Sequence, residues 1–213
     1  AAGEGWAEFQ LPPKRVPCGR IMCIDDSNAY GYGRDPQLMC NTSVSEYRLY
    51  SADKVPSRKV GIKRLEGKWI EGKYSADNGL AKHTVNWKQL AQQPREKLNA
   101  NDYNWIHDTP TIMAEAMVAT KDCLFVAGPK DVVDETKMWG RSQEKLFQRK
   151  MAQQAAWLRG EHGSVLRVFS KKDGKRLAEH ELDCLPAFDG LIAAQQSLYL
   201  VTEDGALICL QGK

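Results

Sequence analysis

Three acidic residues in one short segment are the first candidates for chemistry. Asp131, Asp134 and Glu135 follow an apolar strand in the segment PKDVVDE. Carboxylates grouped at a strand end could bind a divalent cation or act as a general acid and base. The simpler interpretation is a solvated loop that leads into an insertion. We favour the loop, and the binding interpretation stays open.

A second polar run, Asp25-Asp26-Ser27-Asn28, contains residue types that are found in calcium loops. The glycine and the terminal glutamate of an EF-hand loop are missing from it. The run coincides with the turn of a predicted hairpin, so turn chemistry accounts for it. Asp189-Gly190 and Asp204-Gly205 are predicted to be turns for the same reason.

The tryptophans offer a different chemistry. Trp87 and Trp105 lie in a long polar stretch of the chain, and indole rings can stack on the apolar faces of sugars. A glycan is therefore a candidate ligand. The favoured alternative is that these side chains anchor the polar stretch to the core.

The cysteines and histidines show no spacing that is typical of a metal site. His83, His107, His162 and His180 are isolated, and the cysteines are too scattered for a small disulfide scaffold. We expect the cysteines to be small buried apolar side chains with room for one disulfide: Cys18, Cys23, Cys40, Cys123, Cys184 and Cys209. There is no Gly-x-Ser-x-Gly motif and no glycine-rich phosphate loop. No catalytic, cofactor-binding or metal-ligating residue is assigned, and an enzyme is the less favoured interpretation.

Composition narrows the class of protein. The chain has 213 residues, a net charge of +3 and 42% hydrophobic residues, which is enough for a packed core. Charges of both signs are mixed along it, so we expect no nucleic-acid partner. No apolar run is long enough to span a membrane. Ala1–Phe9 does not have the pattern of a signal peptide.

A repeated hairpin is the clearest structural signal. Ala116–Gly128 and Gly190–Thr202 each show a short apolar strand, a polar turn and a second strand centred on an aromatic residue. Ile21–Gly33 is a less regular third copy. The aromatic residues are Tyr30, Phe125 and Tyr199. Three copies of one supersecondary unit predict a repeat architecture.

The residues around the last hairpin predict the larger unit. Ser164–Ser170 and Lys175–Leu182 are expected to be strands joined by an Asp-Gly turn, and Ala206–Leu210 to be a strand after the hairpin. Glu46–Tyr50 is expected to play the same part after the first copy. This order of strands and tight turns is typical of a β-propeller blade. We predict an all-β fold, a partial β-propeller of about three four-stranded blades over residues 1–213.

Two insertions separate the copies. The first, residues 52–110, is polar and irregular; the second, residues 129–162, is predicted to hold a helix. The helix is expected to bury Phe147, Met151, Ala155 and Leu158, with Ser142 as N-cap and Gly160 as its end. Its basic residues are expected to face solvent, with an anionic partner as the less favoured alternative.

These segments together resemble a known family. Gly163–Leu210 resembles the pyrroloquinoline-quinone-like β-propeller repeats of the quinoprotein alcohol dehydrogenase-like superfamily. Gly19–Arg34 (GRIMCIDDSNAYGYGR) and Ala116–Glu135 are similar to segments of one branch of it. That branch consists of large bacterial proteins with the propeller at the C-terminal end. The resemblance implies an extracytoplasmic location, either periplasmic or at the cell surface.

The chain departs from the enzymes of that superfamily. Their repeats follow a Gly-Lys pair with a docking tryptophan, whereas Gly174-Lys175 is followed by Leu177 and Ala178 at that place. The adjacent cysteine pair of the alcohol-oxidising members has no counterpart. No calcium-binding set can be matched either. We therefore expect no cofactor.

Three blades are too few to close a propeller, which usually has 4–8. The exposed blade faces then have to be covered. We predict a non-catalytic scaffold or binding module that is completed by a partner protein or by upstream blades. The alternatives are the C-terminal arc of a quinoprotein-type oxidoreductase and a carbohydrate-binding surface protein.

Overall fold

The computed structural model describes residues 19–34, 47–55, 101–134, 137, 140–141 and 143–211. In these ranges the chain forms eleven strands and one helix. The prediction of an all-β fold is confirmed, and the predicted helix is present. The elements are β1 (Ile21–Ile24), β2 (Asn28–Arg34), β3 (Tyr47–Asp53), β4 (Tyr103–His107), β5 (Ala116–Ala119), β6 (Cys123–Gly128), α1 (Lys145–Leu158), β7 (Ser164–Ser170), β8 (Arg176–Leu182), β9 (Pro186–Ala194), β10 (Ser197–Thr202) and β11 (Leu207–Gln211).

The strands form three antiparallel sheets, and each sheet is a meander of strands that are consecutive in the chain. The first sheet contains β1–β4, the second β5–β8 and the third β9–β11. Tight turns make this possible. Gly174 (φ +70°) and Gly205 (φ +87°) take the left-handed conformation in the turns before β8 and β11.

The three predicted hairpins are confirmed as β1–β2, β5–β6 and β9–β10. The aromatic residue has the same register in each of them. It lies opposite the third residue of the predicted copy: Tyr30 opposite Cys23, Phe125 opposite Val118 and Tyr199 opposite Ile192. The strands predicted around the last hairpin are also present, as β7, β8 and β11.

The first strands of the three sheets, β1, β5 and β9, lie side by side. β5 lies between β1 and β9 and contacts both of them. The Asp189 amide at β9 donates to the Glu115 carbonyl at the start of β5 over 2.8 Å. The Cys23 thiol of β1 donates to the Met117 carbonyl over 3.2 Å.

Two apolar clusters fill the spaces between the sheets. Each buried Leu, Val or Phe contributes about 1.5–3 kcal/mol to folding. The cluster between the first and second sheets contains Ile21, Tyr30, Tyr32, Leu49, Trp105, Ile112, Ala114, Met117, Leu124, Val126, Val165 and Phe169. The cluster between the second and third contains Ala116, Ala127, Leu166, Leu182, Leu191 and Leu200.

One of the three predicted Asp-Gly turns is wrong. Asp173-Gly174 and Asp204-Gly205 lie in turns, but Asp189-Gly190 lies inside β9. Asp189 has φ +58°, and the pairing of β9 with β10 shifts between Leu200 and Thr202, as in a β-bulge. A bulge and a turn both favour residues that tolerate positive φ, so the dipeptide alone does not separate them.

The predicted helix is present, but only two of the four apolar residues at helical spacing, Phe147 and Ala155, are half-buried. Met151 and Leu158 are 43% and 47% exposed, whereas Gln154 and Ala156 are buried. The Gln154 side chain accepts a hydrogen bond from the Val132 amide (2.8 Å) and donates one to the Lys130 carbonyl (3.0 Å). Polar pairing to the preceding loop therefore orients the helix, which hydrophobic spacing could not show.

The C-terminal end of the helix agrees with the prediction. Gly160 follows the helix with φ +74°, as expected for a C-terminal glycine. The N-cap position is Glu144, and Ser142 lies outside the described residues.

Regular structure occupies part of the first predicted insertion. β4 falls within the range 52–110 but is the fourth strand of the first sheet, paired with β3. Residues 56–100 lie outside the described part of the chain. No helix in the described ranges is long and apolar enough to cross a membrane.

Candidate functional site

Three of the five candidate binding residues, Trp105, Asp131 and Asp134, lie in the described part of the chain. Trp87 and Glu135 lie outside the described residues. Trp105 is only 9% exposed and belongs to the core between the first two sheets. Its indole Nε1 donates to the Lys171 carbonyl over 2.9 Å. Most of its ring is therefore committed to packing.

Asp131 and Asp134 are both occupied by local contacts. The Asp131 carboxylate accepts from the Val133 amide at 3.3 Å. Asp134 forms an ion pair of 2.6 Å with Lys137, and the Lys137 hydrogen bond holds the pKa of this carboxyl below its usual range. Within the described ranges, no group of three or more His, Cys, Asp or Glu side chains could hold a metal ion.

An open cleft of about 520 Å³ lies beside Trp105. Its wall is formed by the last strand of the first sheet and the turn between β7 and β8: Trp105, Ile106, His107, Asp108, Asp173, Gly174, Lys175 and Arg176. The lining carries charges of both signs and an imidazole, but no hydroxyl or thiol nucleophile. Such a cleft suits a small polar ligand better than nucleophilic catalysis.

His107 supplies the imidazole of the described cleft lining. Desolvation lowers its pKa, and the nearby Arg167 guanidinium lowers it further. The ring lies edge-on to Phe169 with 5.8 Å between centroids. His107 is therefore held as a neutral, partly buried side chain at neutral pH.

A polar junction connects the first two sheets at their turns. The Lys171 ammonium forms an ion pair of 2.7 Å with Asp25 and donates to the Thr120 carbonyl at 2.6 Å. It also lies 5.3 Å from the centre of the Tyr30 ring, a cation–π distance. The other Asp25 oxygen accepts from the Ser27 and Asn28 amides, which confirms the predicted turn chemistry.

The pKa of Asp25 reflects this junction. Desolvation raises it, but hydrogen bonds from Lys171 and from the Asn28 and Ser27 amides outweigh that effect and hold the pKa well below its usual range. The ionised form is thus favoured at any physiological pH. A permanently paired carboxylate is suited to holding two sheets together rather than to proton transfer.

A buried arginine holds the second sheet to the segment that enters it. The Arg167 side chain on β7 is 6% exposed. Its Nε donates to the Glu179 carboxylate at 2.8 Å, and its Nη1 donates to Thr111 Oγ1 at 2.8 Å and to the Pro110 carbonyl. Burial raises the pKa of Glu179, but the hydrogen bond and charge of Arg167 outweigh it, so the pKa is lowered.

A third charged contact joins all three sheets near their first strands. Arg20 forms an ion pair of 2.8 Å with Glu115, and its guanidinium lies 5.4 Å from the centre of the Phe188 ring. Burial raises the pKa of Glu115 against the opposing effect of Arg20. Like the other two clusters, this one spans elements that are distant in sequence.

The cysteines differ in their environment. Cys23, Cys123, Cys184 and Cys209 are free thiols, while Cys18 and Cys40 lie outside the described residues. Burial raises the pKa of Cys23 from 9.0 to about 11, whereas Cys209 is exposed.

We expect iodoacetamide near neutral pH to modify Cys209 faster than Cys23. The raised pKa of Cys23 reduces its thiolate fraction about 100-fold, and burial limits access further. Mass spectrometry of the native protein over time would measure both rates, and protein unfolded in guanidinium is the control in which the two rates should converge. Equal rates in the native protein would contradict the burial of Cys23.

Comparisons with protein-family models, with curated proteins and with solved structures found no match to this chain.

Sequence reasoning missed the charged residues that join the sheets. The available signal was a charged residue inside an apolar strand, as with Arg167 in SVLRVFS, or directly after it, as with Lys171. Such a residue has to find a partner when its strand is buried. The sequence does not show which partner, because Asp25 and Glu179 are equally plausible surface residues when read alone.

Proposed function

We propose that this chain is a non-catalytic scaffold, an incomplete β-propeller that is completed by further sheets from outside it. The observation that carries the proposal is the placement of three consecutive antiparallel meanders with their first strands side by side. The similarity to pyrroloquinoline-quinone-like repeats belongs to this proposal, as does an extracytoplasmic location.

The arrangement of the sheets supports a propeller in two ways. Blades of a propeller are antiparallel sheets whose innermost strands surround an axis. In this chain β5 contacts both β1 and β9, and the two apolar clusters lie between successive sheets. The three described sheets are fewer than the 4–8 blades of a closed propeller. The sheet faces at the two ends of the arc therefore need a partner.

The chemistry of the described residues supports a scaffold. The charged groups described above are used in pairs: Lys171 with Asp25, Arg167 with Glu179, and Arg20 with Glu115. Each pair joins separate segments of the fold. None of these six residues is among the described residues that line the cleft beside Trp105.

The helical insertion gives the scaffold a surface to present. Leu146, Met151 and Leu158 of α1 are 62%, 43% and 47% exposed, and the helix also exposes Lys145 and Arg149. Apolar and basic side chains together on one exposed helix are a suitable surface for binding another protein.

Native mass spectrometry of the protein from its natural source tests the proposal. We expect the 23.9 kDa chain to occur bound to another chain, or within a longer polypeptide, that supplies further antiparallel sheets. Peptide mapping of the same sample would identify that material. A folded monomer of this chain alone would contradict the proposal. A quinone absorption band in the intact assembly would instead favour the oxidoreductase alternative.

A further inference from the structure

The third sheet has an exposed apolar face. We call this surface the outer face, and it consists of Ile192, Tyr199, Val201, Leu207 and Cys209. Ile192, Val201 and Leu207 are 61%, 40% and 68% exposed, and Cys209 is also exposed. The five side chains form two cross-strand rows, because Tyr199 lies between Ile192 and Cys209 and Val201 lies opposite Leu207. None of them is charged.

The repeated hairpin shows what such a face does elsewhere in the chain. Aligning the three copies residue by residue places Ile192, Tyr199 and Val201 at the same positions as three residues of the second copy and three of the first. The residues of the second copy are Val118, Phe125 and Ala127, and those of the first are Cys23, Tyr30 and Tyr32.

These equivalent positions pack against the next sheet in both earlier copies. Tyr30 and Tyr32 belong to the cluster between the first and second sheets, and Cys23 packs against it. Ala127 belongs to the cluster between the second and third sheets, and Val118 and Phe125 pack against it. In the third copy, Ile192 and Val201 are exposed and Tyr199 is half-buried. The outer face is therefore the continuation of an interface that the molecule already forms twice.

The free edge of the third sheet agrees with this. The first two sheets have four strands, and the third has three. Within the described part of the chain, no strand pairs with the far edge of β11, so Leu207–Gln211 is an edge strand there. An apolar edge strand is a site where another sheet can add.

We infer that the outer face docks an antiparallel β-sheet of a partner protein. This inference rests on the proposed function and assigns the partner and its contact surface. The docking sheet presents an apolar, uncharged face of the kind that the third sheet turns toward the second, which includes Leu191, Leu198 and Leu200.

A second copy of this chain does not fit the same role. Head-to-tail closure would need the face of its first sheet that points away from the second sheet. That face is already covered, because Tyr50 is 4% and Ala52 is 0% exposed. The phenol of Tyr50 also lies directly over Gly31.

Footprinting of the intact assembly from the natural source tests the inference. A photoactivated diazirine would label exposed aliphatic side chains, and iodoacetamide would label Cys209. We expect Ile192, Leu207 and Cys209 to stay unlabelled in the intact assembly and to be labelled once the assembly is unfolded in guanidinium. Leu177 on β8, which is 59% exposed, is the matched control and should be labelled in both.

The outcomes separate this inference from the proposed function. A partner that is present while the outer face stays labelled overturns the inference and leaves the proposed function intact. A folded monomer overturns both. Protection by a second copy of this chain, or by another segment of the same polypeptide, also overturns the partner assignment.

A pair of variants gives an independent measurement. Ile192→Lys combined with Leu207→Lys should release the partner protein from the reconstituted assembly, because two charges would be buried without partners. Leu177→Lys should leave binding unchanged. Circular dichroism would show whether each variant is folded, and the footprint of the unmodified protein decides the question where one is not. Retained binding by the folded double variant would contradict the inference.

Discussion

Arg167→Met is expected to lower the free energy of unfolding by about 3 kcal/mol. Methionine keeps the apolar stem of the side chain but removes every donor. The Pro110 carbonyl and the Thr111 hydroxyl lose their shared donor, and the Glu179 carboxylate loses its closest cation. The effect is large because the arginine is buried in β7 and a buried polar group without a partner is costly. Urea unfolding followed by circular dichroism would measure it.

Arg176→Met is the matched control. Arg176 donates to the same Glu179 carboxylate at 3.0 Å, but its side chain is 52% exposed. We expect a loss below about 1 kcal/mol, as is usual for solvated ion pairs. Equal losses for the two variants would show that burial of Arg167 does not determine its contribution.

Arg167→Met should also change how the free energy of unfolding depends on pH. The lowered pKa of Glu179 stabilises the fold above the ordinary range of a carboxyl, and this contribution is lost as the pH falls through the folded-state pKa. Removing Arg167 removes the main cause that lowers the pKa. As the pH falls below neutral, the free energy of unfolding should therefore decrease less steeply in Arg167→Met than in the unchanged protein.

The strands could be predicted from the sequence because their signals are local. Alternating apolar residues, polar turns and an aromatic at a fixed position define each hairpin within 13 residues or fewer, as in Ala116–Gly128. The register of the hairpins follows from the same pattern, since a shift by one residue would move the whole apolar set to the other face.

The junctions between sheets could not be predicted in this way. Lys171 and Asp25 are far apart in the chain, and so are Arg167 and Thr111. The first pairing depends on how the first two sheets lie against each other, and the second on how the segment before β5 lies against β7. The orientation of α1 failed for a related reason: Gln154 satisfies backbone groups at Lys130 and Val132, and this outweighs the weak apolar stripe.

The candidate binding residues illustrate the same limit. The sequence marked Trp105 as chemically suited to a ligand, and the fold uses it as a core residue beside a cleft. The outer face of the third sheet carries no motif at all. It becomes visible only when the hairpin repeat is combined with the exposure of Ile192 and Leu207 in the structure.

Gly163→Ala is expected to be the most damaging single-methyl change among the described glycines that have positive φ. Gly163 precedes β7 with φ +64°, and an added Cβ would overlap the Leu182 carbonyl oxygen. The left-handed conformation costs an alanine about 1–2 kcal/mol. Forcing the backbone of β8 away adds about 1–3 kcal/mol, as for other overpacked sites. We expect a total loss of about 3 kcal/mol or more in the free energy of unfolding, measured by urea unfolding.

Gly205→Ala separates the two causes. Gly205 has φ +87° in the turn before β11, and nothing lies within 4 Å of the position that its Cβ would occupy. It should therefore show only the conformational cost of about 1–2 kcal/mol. The difference between the losses in the two variants measures how tightly Gly163 packs against Leu182 at the end of β8. If both variants lose the same stability, the contact between Gly163 and β8 is looser than the structure shows.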